Sequence, residues 1–311
     1  MSAPKRMSGV LTPVITPFDR NLAPDAKRFV AQCRWLLTQN VGLAIFGTNS
    51  EANSLSVDEK IELMEALMTA GLPAERMMPG TGCCALSDSV RMTAYAAKLG
   101  CSGVLMLPPF YYKGVSDDGL FASYSEVIQR VGSSDLRIYL YHIPPVSNVP
   151  ISLTLIERLI KAYSETVVGI KDSSGDWANT KAMLDAGWDD FRIFPGSEQF
   201  LLAGMRNGGS GCISATANVN PAAIDKLYRT WKDADADAQQ ERLNQIRAIF
   251  ATYVMIPALK GAVAHYAGDP AWLPVRPPLD TMTAQQQKAL VEKLDAAGFT
   301  MPGLGAAKAA E

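Results

Sequence analysis

The sequence predicts an α/β fold, a (β/α)8 TIM barrel followed by a small C-terminal helical appendage. The chain has 311 residues, 48% of them hydrophobic, which suits one large α/β domain or a barrel with an added segment. Eight short apolar runs alternate with amphipathic helical patterns, which is typical of a barrel. The main alternative is an open doubly wound sheet, but no Gly-x-Gly-x-x-Gly follows the first apolar run.

The predicted strands are apolar runs of four to six residues. In chain order they are Val10-Ile15, Gly42-Phe46, Met77-Gly80, Gly103-Leu107, Arg137-Tyr141, Val167-Ile170, Phe191-Phe194 and Gly211-Ser214. Between them, the clearest helix begins at Ser56, where Glu59 completes a capping box. A second helix is indicated by Leu120, Tyr124, Val127 and Val131 at helical spacing.

The barrel is predicted to occupy residues 1–231 and the helical appendage residues 232–311. Three helical stretches support the appendage: Ala234 to Phe250, Ile256 to His265 and Thr283 to Ala297. The small and polar tail from Gly303 to Glu311 is predicted to be loose.

Charge and cysteine usage narrow the class of protein. The net charge of -2 gives no electrostatic reason to expect nucleic acid or an anionic membrane as a partner. Residues Met1 to Gly9 have no apolar core, so we expect no signal peptide. The five cysteines are an odd number without metal-ligand spacing, which suits reduced thiols in a cytoplasm. Because His142 and His265 are the only histidines and lack ligand spacing, we expect no metal.

Lys171 is the first candidate catalytic residue. It ends the apolar run Val167-Val168-Gly169-Ile170 and would be delivered to the carboxyl end of a strand, where barrel active sites form. Burial disfavours the charged form of an amine, and a neutral amine is a nucleophile that can form a Schiff base with a ketone. A strand-ending lysine that points into water is the alternative interpretation.

Polar side chains follow other strands at the same predicted mouth. Gly47-Thr48-Asn49-Ser50 can present N–H, hydroxyl and amide donors to a carboxylate, although an ordinary turn favours the same residues. Tyr141 shares a strand face with Tyr139 and would look at Lys171 from the neighbouring strand. A phenol beside an imine-forming amine can move protons, whereas a core role with a satisfied hydroxyl is the common alternative.

These pieces resemble the dihydrodipicolinate synthase / N-acetylneuraminate lyase family of class I aldolases. The resemblance rests on Gly47-Thr48-x-x-Glu51, Tyr141-x-x-Pro144 and Gly169-Ile170-Lys171-Asp172, and it weakens in the C-terminal helices. It implies a TIM barrel, no cofactor and a homotetramer built as a dimer of dimers.

The resemblance also implies residue roles. Lys171 matches the Schiff-base lysine and Tyr141 the tyrosine that shuttles protons. Thr48 matches the hydroxyl that links this tyrosine to a second one. That second tyrosine is matched by Tyr112, which in the synthases reaches in from a neighbouring subunit.

The substrate-binding positions are Asn49, Ile213 and Glu198. Asn49 stands where the family usually has a threonine or serine that holds the pyruvate carboxylate, and an amide can still donate to it. Ile213 matches the residue whose carbonyl lies beside bound pyruvate. Glu198 matches an acid that touches substrate hydroxyls in sugar-acid lyases; an exposed acid at a helix start is the alternative.

One departure bears on the substrate. In the biosynthetic synthases an arginine two residues after the proline of Tyr-x-x-Pro binds the carboxylate of aspartate semialdehyde, and here that position is Val146. The resemblance therefore implies a lyase or synthase that joins a 2-oxo acid to a small aldehyde, or cleaves a 4-hydroxy-2-oxo acid. The biosynthetic synthase, a sugar-acid dehydratase using the same imine and a non-catalytic 2-oxo acid sensor remain alternatives. A phosphate-binding barrel is disfavoured, because Gly208-Gly209-Ser210-Gly211 precedes its strand.

Overall fold

The computed structural model describes residues 6–304, which form seven strands and twelve α-helices. The strands are β1 (Gly9–Thr12), β2 (Gly42–Leu43), β3 (Val104–Met106), β4 (Ile138–His142), β5 (Val167–Asp172), β6 (Arg192–Pro195) and β7 (Gly211–Ile213). The helices are α1 (Ala26–Thr38), α2 (Val57–Thr69), α3 (Leu86–Lys98), α4 (Asp117–Val131), α5 (Pro144–Ser147), α6 (Leu153–Ala162), α7 (Trp177–Asp185), α8 (Leu201–Arg206), α9 (Pro221–Thr230), α10 (Ala236–Ala251), α11 (Met255–Tyr266) and α12 (Ala284–Ala296).

The chain folds into two compact units. The first contains residues 6–9 and Pro73–Ile213, and the second contains Val10–Leu72 and residues 214–304. The division predicted near Trp231 stays a prediction. Residues 1–5 and 305–311 lie outside the described residues. The expectations of no signal peptide and of a loose tail from Gly303 to Glu311 therefore stay predictions.

A four-stranded parallel sheet in the order β3-β4-β5-β6 forms the centre of the first unit. All six residues of β5 and all five of β4 are buried, as expected for a parallel sheet covered on both faces. Tyr141 pairs with Lys171 across β4 and β5, and Lys171 pairs with Phe194 across β5 and β6. The register therefore surrounds Lys171 with aromatic neighbours on both sides.

The predicted strand at Met77-Gly80 is present only as a single bridge. Gly80 pairs in parallel with Leu105, whose N–H donates to the carbonyl of Pro79 at 2.9 Å. The carbonyl of Leu105 accepts from Thr81 N–H at 3.0 Å. The ladder cannot extend toward the N-terminus because Pro79 stands where the next N–H donor is needed.

In the second unit, β1 and β2 pair in parallel, with Leu11 opposite Gly42 and Thr12 opposite Leu43. Most of helix α11 is buried, including the whole stretch from Pro257 to Ala264. Among residues 6–304 no single helix is long and apolar enough to cross a membrane. Helices α10 and α11 reach that length and hydropathy only together, and they are bent by 107°.

The helix signals read from the sequence are confirmed. Ser56 caps α2 by accepting from Glu59 N–H at 3.2 Å, and Glu59 accepts from Ser56 N–H at 2.8 Å. Helix α4 buries Leu120, Tyr124 and Val127 of the predicted face, whereas Val131, the last residue of the helix, is partly exposed. The three C-terminal helices begin and end within two residues of their predicted bounds.

Candidate active site

Lys171 is a buried lysine at the carboxyl end of β5. Its relative exposure is 2%, so the alternative of a side chain in water is wrong. Its Nζ lies over the Tyr141 ring, 4.2 Å from the ring centroid. Tyr141, on β4, is also 2% exposed. The structure therefore brings the predicted nucleophile and the predicted proton carrier into direct contact.

Tyr139 lies two residues before Tyr141 on the same strand. It is a core aromatic residue with a satisfied hydroxyl, which was the alternative interpretation of Tyr141. Its hydroxyl accepts from Met7 N–H at 2.7 Å, and its ring packs edge-on against Phe194. Burial raises the pKa of Tyr139 to about 12. The hydroxyl of Tyr139 is thus fixed as a structural acceptor, and the role of Tyr141 stays a prediction.

Gly169 makes room for the Tyr139 ring. A Cβ on Gly169 would lie 2.5 Å from a ring carbon of Tyr139 and 2.5 Å from the Arg192 carbonyl oxygen. A Cβ on Gly103 would lie 2.6 Å from the same ring. The glycine that precedes Ile170 and Lys171 is therefore a steric requirement of the aromatic layer beneath the lysine.

A histidine and an aspartate lie beside this pair in the sequence and point to the other face of the sheet. Asp172 accepts from Ser174 N–H at 2.9 Å and from the Thr180 hydroxyl, and its Oδ1 lies 4.0 Å from His142 Nε2. His142 Nδ1 accepts from Ile151 N–H at 3.0 Å, which assigns the ring proton to Nε2. Burial lowers the pKa of His142, and the charge of Asp172 opposes that effect. These residues anchor the segment after β4, a role that sequence reasoning missed.

Tyr112 lies outside the buried pair. It follows β3 in an exposed loop, its side chain is 72% exposed, and its ring contacts that of Tyr111 edge-on. Lys113 Nζ ties the loop to the segment after β4 by donating to the Ser147 carbonyl at 2.7 Å. Val146, the position that is arginine in the biosynthetic synthases, is 58% exposed in α5.

Glu198 and Ile213 are both buried in the first unit. Glu198 is 1% exposed and begins a short 3-10 helix directly after β6, so the alternative of an exposed acid is wrong. Ser197 caps that turn by accepting from Gln199 N–H at 3.1 Å. Ile213 ends β7 with no exposed surface. The predicted roles, contact with substrate hydroxyls for Glu198 and a carbonyl beside pyruvate for Ile213, stay predictions.

Thr48 and Asn49 belong to the second unit. They open a 3-10 helix, Thr48–Ser50, and are partly exposed, whereas Gly47 and Ser50 on either side are buried. Ser50 Oγ accepts from Gly47 N–H at 3.1 Å, and Ser50 O accepts from the Thr16 hydroxyl at 2.7 Å. The turn thus presents the side chains of its two middle residues while its ends are held.

Glu51, which follows this turn, is bound in a buried ion pair with Lys260 of α11. Their side chains are 1% and 0% exposed. Burial lowers the pKa of Lys260 to about 8, and the charge of Glu51 opposes that shift. No local pattern indicated Lys260, because a lysine in a helix is normally read as a solvated residue. Among residues 6–304, no group of three or more His, Cys, Asp or Glu side chains is arranged to hold a metal ion.

Comparison with known proteins decides the family. The model of the dihydrodipicolinate synthetase family matches residues 6–297. The chain belongs to this family. It is 32% identical over 285 residues to an "Uncharacterized DapA-like lyase" of Chloroflexus aurantiacus, covering 91% of this chain and 94% of that protein. Members of the family are pyruvate-dependent Schiff-base lyases and synthases.

Solved structures agree with this assignment. The crystal structure of dihydrodipicolinate synthase from Agrobacterium tumefaciens superposes with a TM-score of 0.85 at 31% identity, covering 94% of this chain and 99% of that one. N-acetylneuraminate lyase from Fusobacterium nucleatum, at 21% identity, shares the fold with a TM-score of 0.82 over 94% and 99% of the two chains. The predicted α/β fold of the TIM-barrel type is confirmed by this likeness.

Proposed function

We propose that this protein is a cofactor-independent carbon–carbon lyase or synthase that forms a Schiff base between Lys171 and pyruvate or a related 2-oxo acid. The observation that carries the proposal is the contact between the buried Lys171 amine and the Tyr141 ring. A site sheltered from water protects an imine from premature hydrolysis. A neighbouring phenol supplies the proton transfers that imine chemistry requires.

The chemistry begins when the Lys171 amine attacks the ketone carbon and water leaves as the imine forms. The protonated imine then accepts an electron pair, either when a proton leaves C3 or when the C3–C4 bond breaks. Tyr141 takes and returns the proton, with Thr48 and Tyr112 as a relay. In the synthetic direction, C3 attacks the aldehyde carbon, and hydrolysis of the imine releases the product and frees Lys171.

Binding groups around this centre follow from the same proposal. The turn at Thr48 and Asn49 donates to the carboxylate of the 2-oxo acid, which orients the imine for reaction. The Ile213 carbonyl lies beside the bound acid. Glu198, a buried acid in the 3-10 helix that follows β6, accepts hydrogen bonds from hydroxyls of the partner aldehyde. Tyr112 acts from a neighbouring copy of the chain, in a homotetramer, which fits its 72% exposure in a single chain.

A second candidate is 4-hydroxy-tetrahydrodipicolinate synthase, which condenses pyruvate with aspartate semialdehyde. It is favoured by the 31% identity to the dihydrodipicolinate synthase of Agrobacterium tumefaciens. Val146 argues against it, because a valine cannot form the charge-assisted contact that an arginine makes with a carboxylate. A small aldehyde without a carboxylate, or one that carries hydroxyls, is therefore the preferred partner.

Trapping with borohydride tests the proposal directly. The protein is incubated with pyruvate and reduced, and peptide mass mapping should find a pyruvate-derived mass on Lys171. Lys171→Met should abolish the label, whereas Lys260→Met, which removes another buried lysine, should leave Lys171 labelled at saturating pyruvate. An unlabelled Lys171 in the unaltered protein would refute the nucleophile assignment.

A substrate panel then separates the candidates. Aldehydes, aspartate semialdehyde and hydroxy-2-oxo acids are scored for pyruvate consumed or released. We expect small or hydroxylated partners to turn over and aspartate semialdehyde to be a poor partner. Efficient condensation with aspartate semialdehyde would favour the biosynthetic synthase. Labelling of Lys171 without turnover of any partner would favour a 2-oxo acid sensor.

A further inference from the structure

The turn that carries Thr48 and Asn49 ends in a residue with an unfavourable backbone conformation. Glu51 has φ 54° and ψ 34°. These angles lie in the left-handed region, which residues other than glycine and asparagine seldom adopt. Its N–H donates to the Thr48 carbonyl at 3.1 Å, so the conformation of Glu51 is coupled directly to Thr48. Such a conformation persists only where the surroundings hold it.

Two groups hold the Glu51 carboxylate. Oε1 accepts from Lys260 Nζ, and Oε2 accepts from the backbone N–H of Arg276 at 2.9 Å. Lys260 Nζ also donates to the Pro274 carbonyl at 2.8 Å. Both carboxylate oxygens are therefore bound from segments more than 200 residues away in the chain, at separations of 209 and 225 residues.

The cations of this network are themselves fixed. Lys260 Nζ lies 4.4 Å and the Arg276 guanidinium carbon 4.7 Å from the centroid of the Phe18 ring. The Arg276 guanidinium donates to the Leu22 carbonyl at 2.8 Å and forms an ion pair with Glu59 of α2. The anchor of Glu51 is thus a cross-connected assembly, buried at Glu51 and Lys260 and partly exposed at Arg276 and Glu59, in which a charged group cannot move without breaking several contacts.

We propose that Lys260 and Glu51 are positioning residues that hold the turn at Thr48 and Asn49 in the geometry that binds the carboxylate of the 2-oxo acid. The inference rests on the proposed function. Neither residue is assigned a contact with the substrate, because their polar atoms are bound to each other, to the Arg276 N–H and to the Pro274 carbonyl. A buried ion pair is weak as a source of stability, because desolvation offsets the attraction between the charges. Its directional contacts instead specify one conformation of the turn.

We expect variants of Glu51 and Lys260 to lose affinity for ketones that carry a carboxylate and to keep affinity for ketones that lack one. Pyruvate and pyruvamide present the same ketone to Lys171, but only pyruvate presents a carboxylate to the turn. In Glu51→Gln, and in Lys260→Met, the pyruvate concentration that half-saturates borohydride trapping should rise about tenfold, the effect of losing one good hydrogen bond. The value for pyruvamide should change far less. A purely structural role would weaken trapping of both ketones equally.

Controls separate positioning from general damage. Asp225→Asn makes the same carboxylate-to-amide change at another buried acid of the same unit, where Asp225 accepts from Arg229 Nε at 2.7 Å. It should leave the ratio between pyruvate and pyruvamide unchanged. Lys260→Arg keeps the charge and should restore part of the selectivity. The double variant Glu51→Gln with Lys260→Met leaves no unpaired buried charge, so it provides a folded protein if a single variant does not fold.

The outcomes are distinct. A pyruvate-selective loss in the folded variants supports the inference. An unchanged ratio, or equal losses for both ketones, overturns it while the unaltered protein still labels Lys171. If pyruvate fails to label Lys171 in the unaltered protein, the proposed function fails and the inference fails with it.

Discussion

The amine of Lys171 rests on the ring of Tyr141, with Nζ 4.2 Å from the ring centroid and both side chains 2% exposed. The contact follows from the parallel pairing of β4 and β5, in which the two residues are direct partners. The hydroxyl of such a ring can exchange a proton with a group bound to the amine. One pairing of neighbouring strands therefore supplies the amine and the phenol that the proposed function requires.

Tyr141→Phe should keep the ring beneath Lys171 and remove only the hydroxyl. We expect turnover to fall about 10²- to 10⁴-fold, the usual loss when general acid–base catalysis is removed. Trapping of the pyruvate imine should partly survive, since the amine and its surroundings are retained. Steady-state kinetics and borohydride labelling measure the two effects, and wild-type turnover would exclude the proton-transfer role.

Tyr139→Phe is the matched control, because it removes a hydroxyl from the same face of the same strand. It leaves Met7 N–H without its acceptor, so the free energy of unfolding should fall by about 1–3 kcal/mol. Turnover of the folded variant should change little.

Tyr112 is expected to act from a neighbouring subunit. Tyr112→Phe should lower turnover at a protein concentration that maintains the oligomer, and dilution of the unaltered protein to monomer should lower it as well. Tyr111→Phe is the control, since Tyr111 is equally exposed at 74% and shares the loop. Activity measured alongside sedimentation velocity tests the expectation, and a fully active monomer would contradict it.

Gly169→Ala should destabilise the first unit. The added methyl group would lie 2.5 Å from the Arg192 carbonyl oxygen and from the Tyr139 ring, and neither can easily move. We expect a loss of about 1–3 kcal/mol in the free energy of unfolding, the range found for overpacked cores. Gly119→Ala, on an exposed part of α4 with its nearest atom 3.5 Å away, should instead be neutral or stabilising. Urea unfolding compares the two, and equal effects would argue against the steric explanation.

Glu59 should make stability depend on acid pH. Its hydrogen bond with Arg276 lowers its pKa to about 2, from a usual value near 4.5. A carboxyl whose pKa is lowered on folding contributes stability above its unfolded pKa, and this contribution is lost as the pH falls from about 4.5 toward 2. Glu59→Gln keeps an acceptor for Ser56 N–H but removes the charge.

The variant should therefore lose less stability than the unaltered protein over that pH range. After allowance for screening of this partly exposed pair, we expect a difference of roughly 1–2 kcal/mol between the two pH profiles. Urea unfolding at pH 7 and at pH 3 measures it. Parallel profiles would show that Glu59 does not supply this dependence.

Much of the fold was predictable because its signals are local. The capping box at Ser56 and the helical spacing of Leu120, Tyr124 and Val127 involve residues within one or a few turns, so they appear in the sequence. Lys171 was found the same way, since an apolar run that ends in a lysine is a local pattern. The family resemblance added the role expected of Thr48, which no local pattern specifies.

The sequence alone determined the order and approximate bounds of most strands and helices, which lysine ends a strand and which family the chain resembles. Only the tertiary structure decided that Tyr141 lies against Lys171, that Glu198 is buried, and that Lys260 pairs with Glu51 across 209 residues. Burial and side-chain pairing are set by strand register and helix packing between distant segments. Local periodicity contains no information on which distant residue completes a contact.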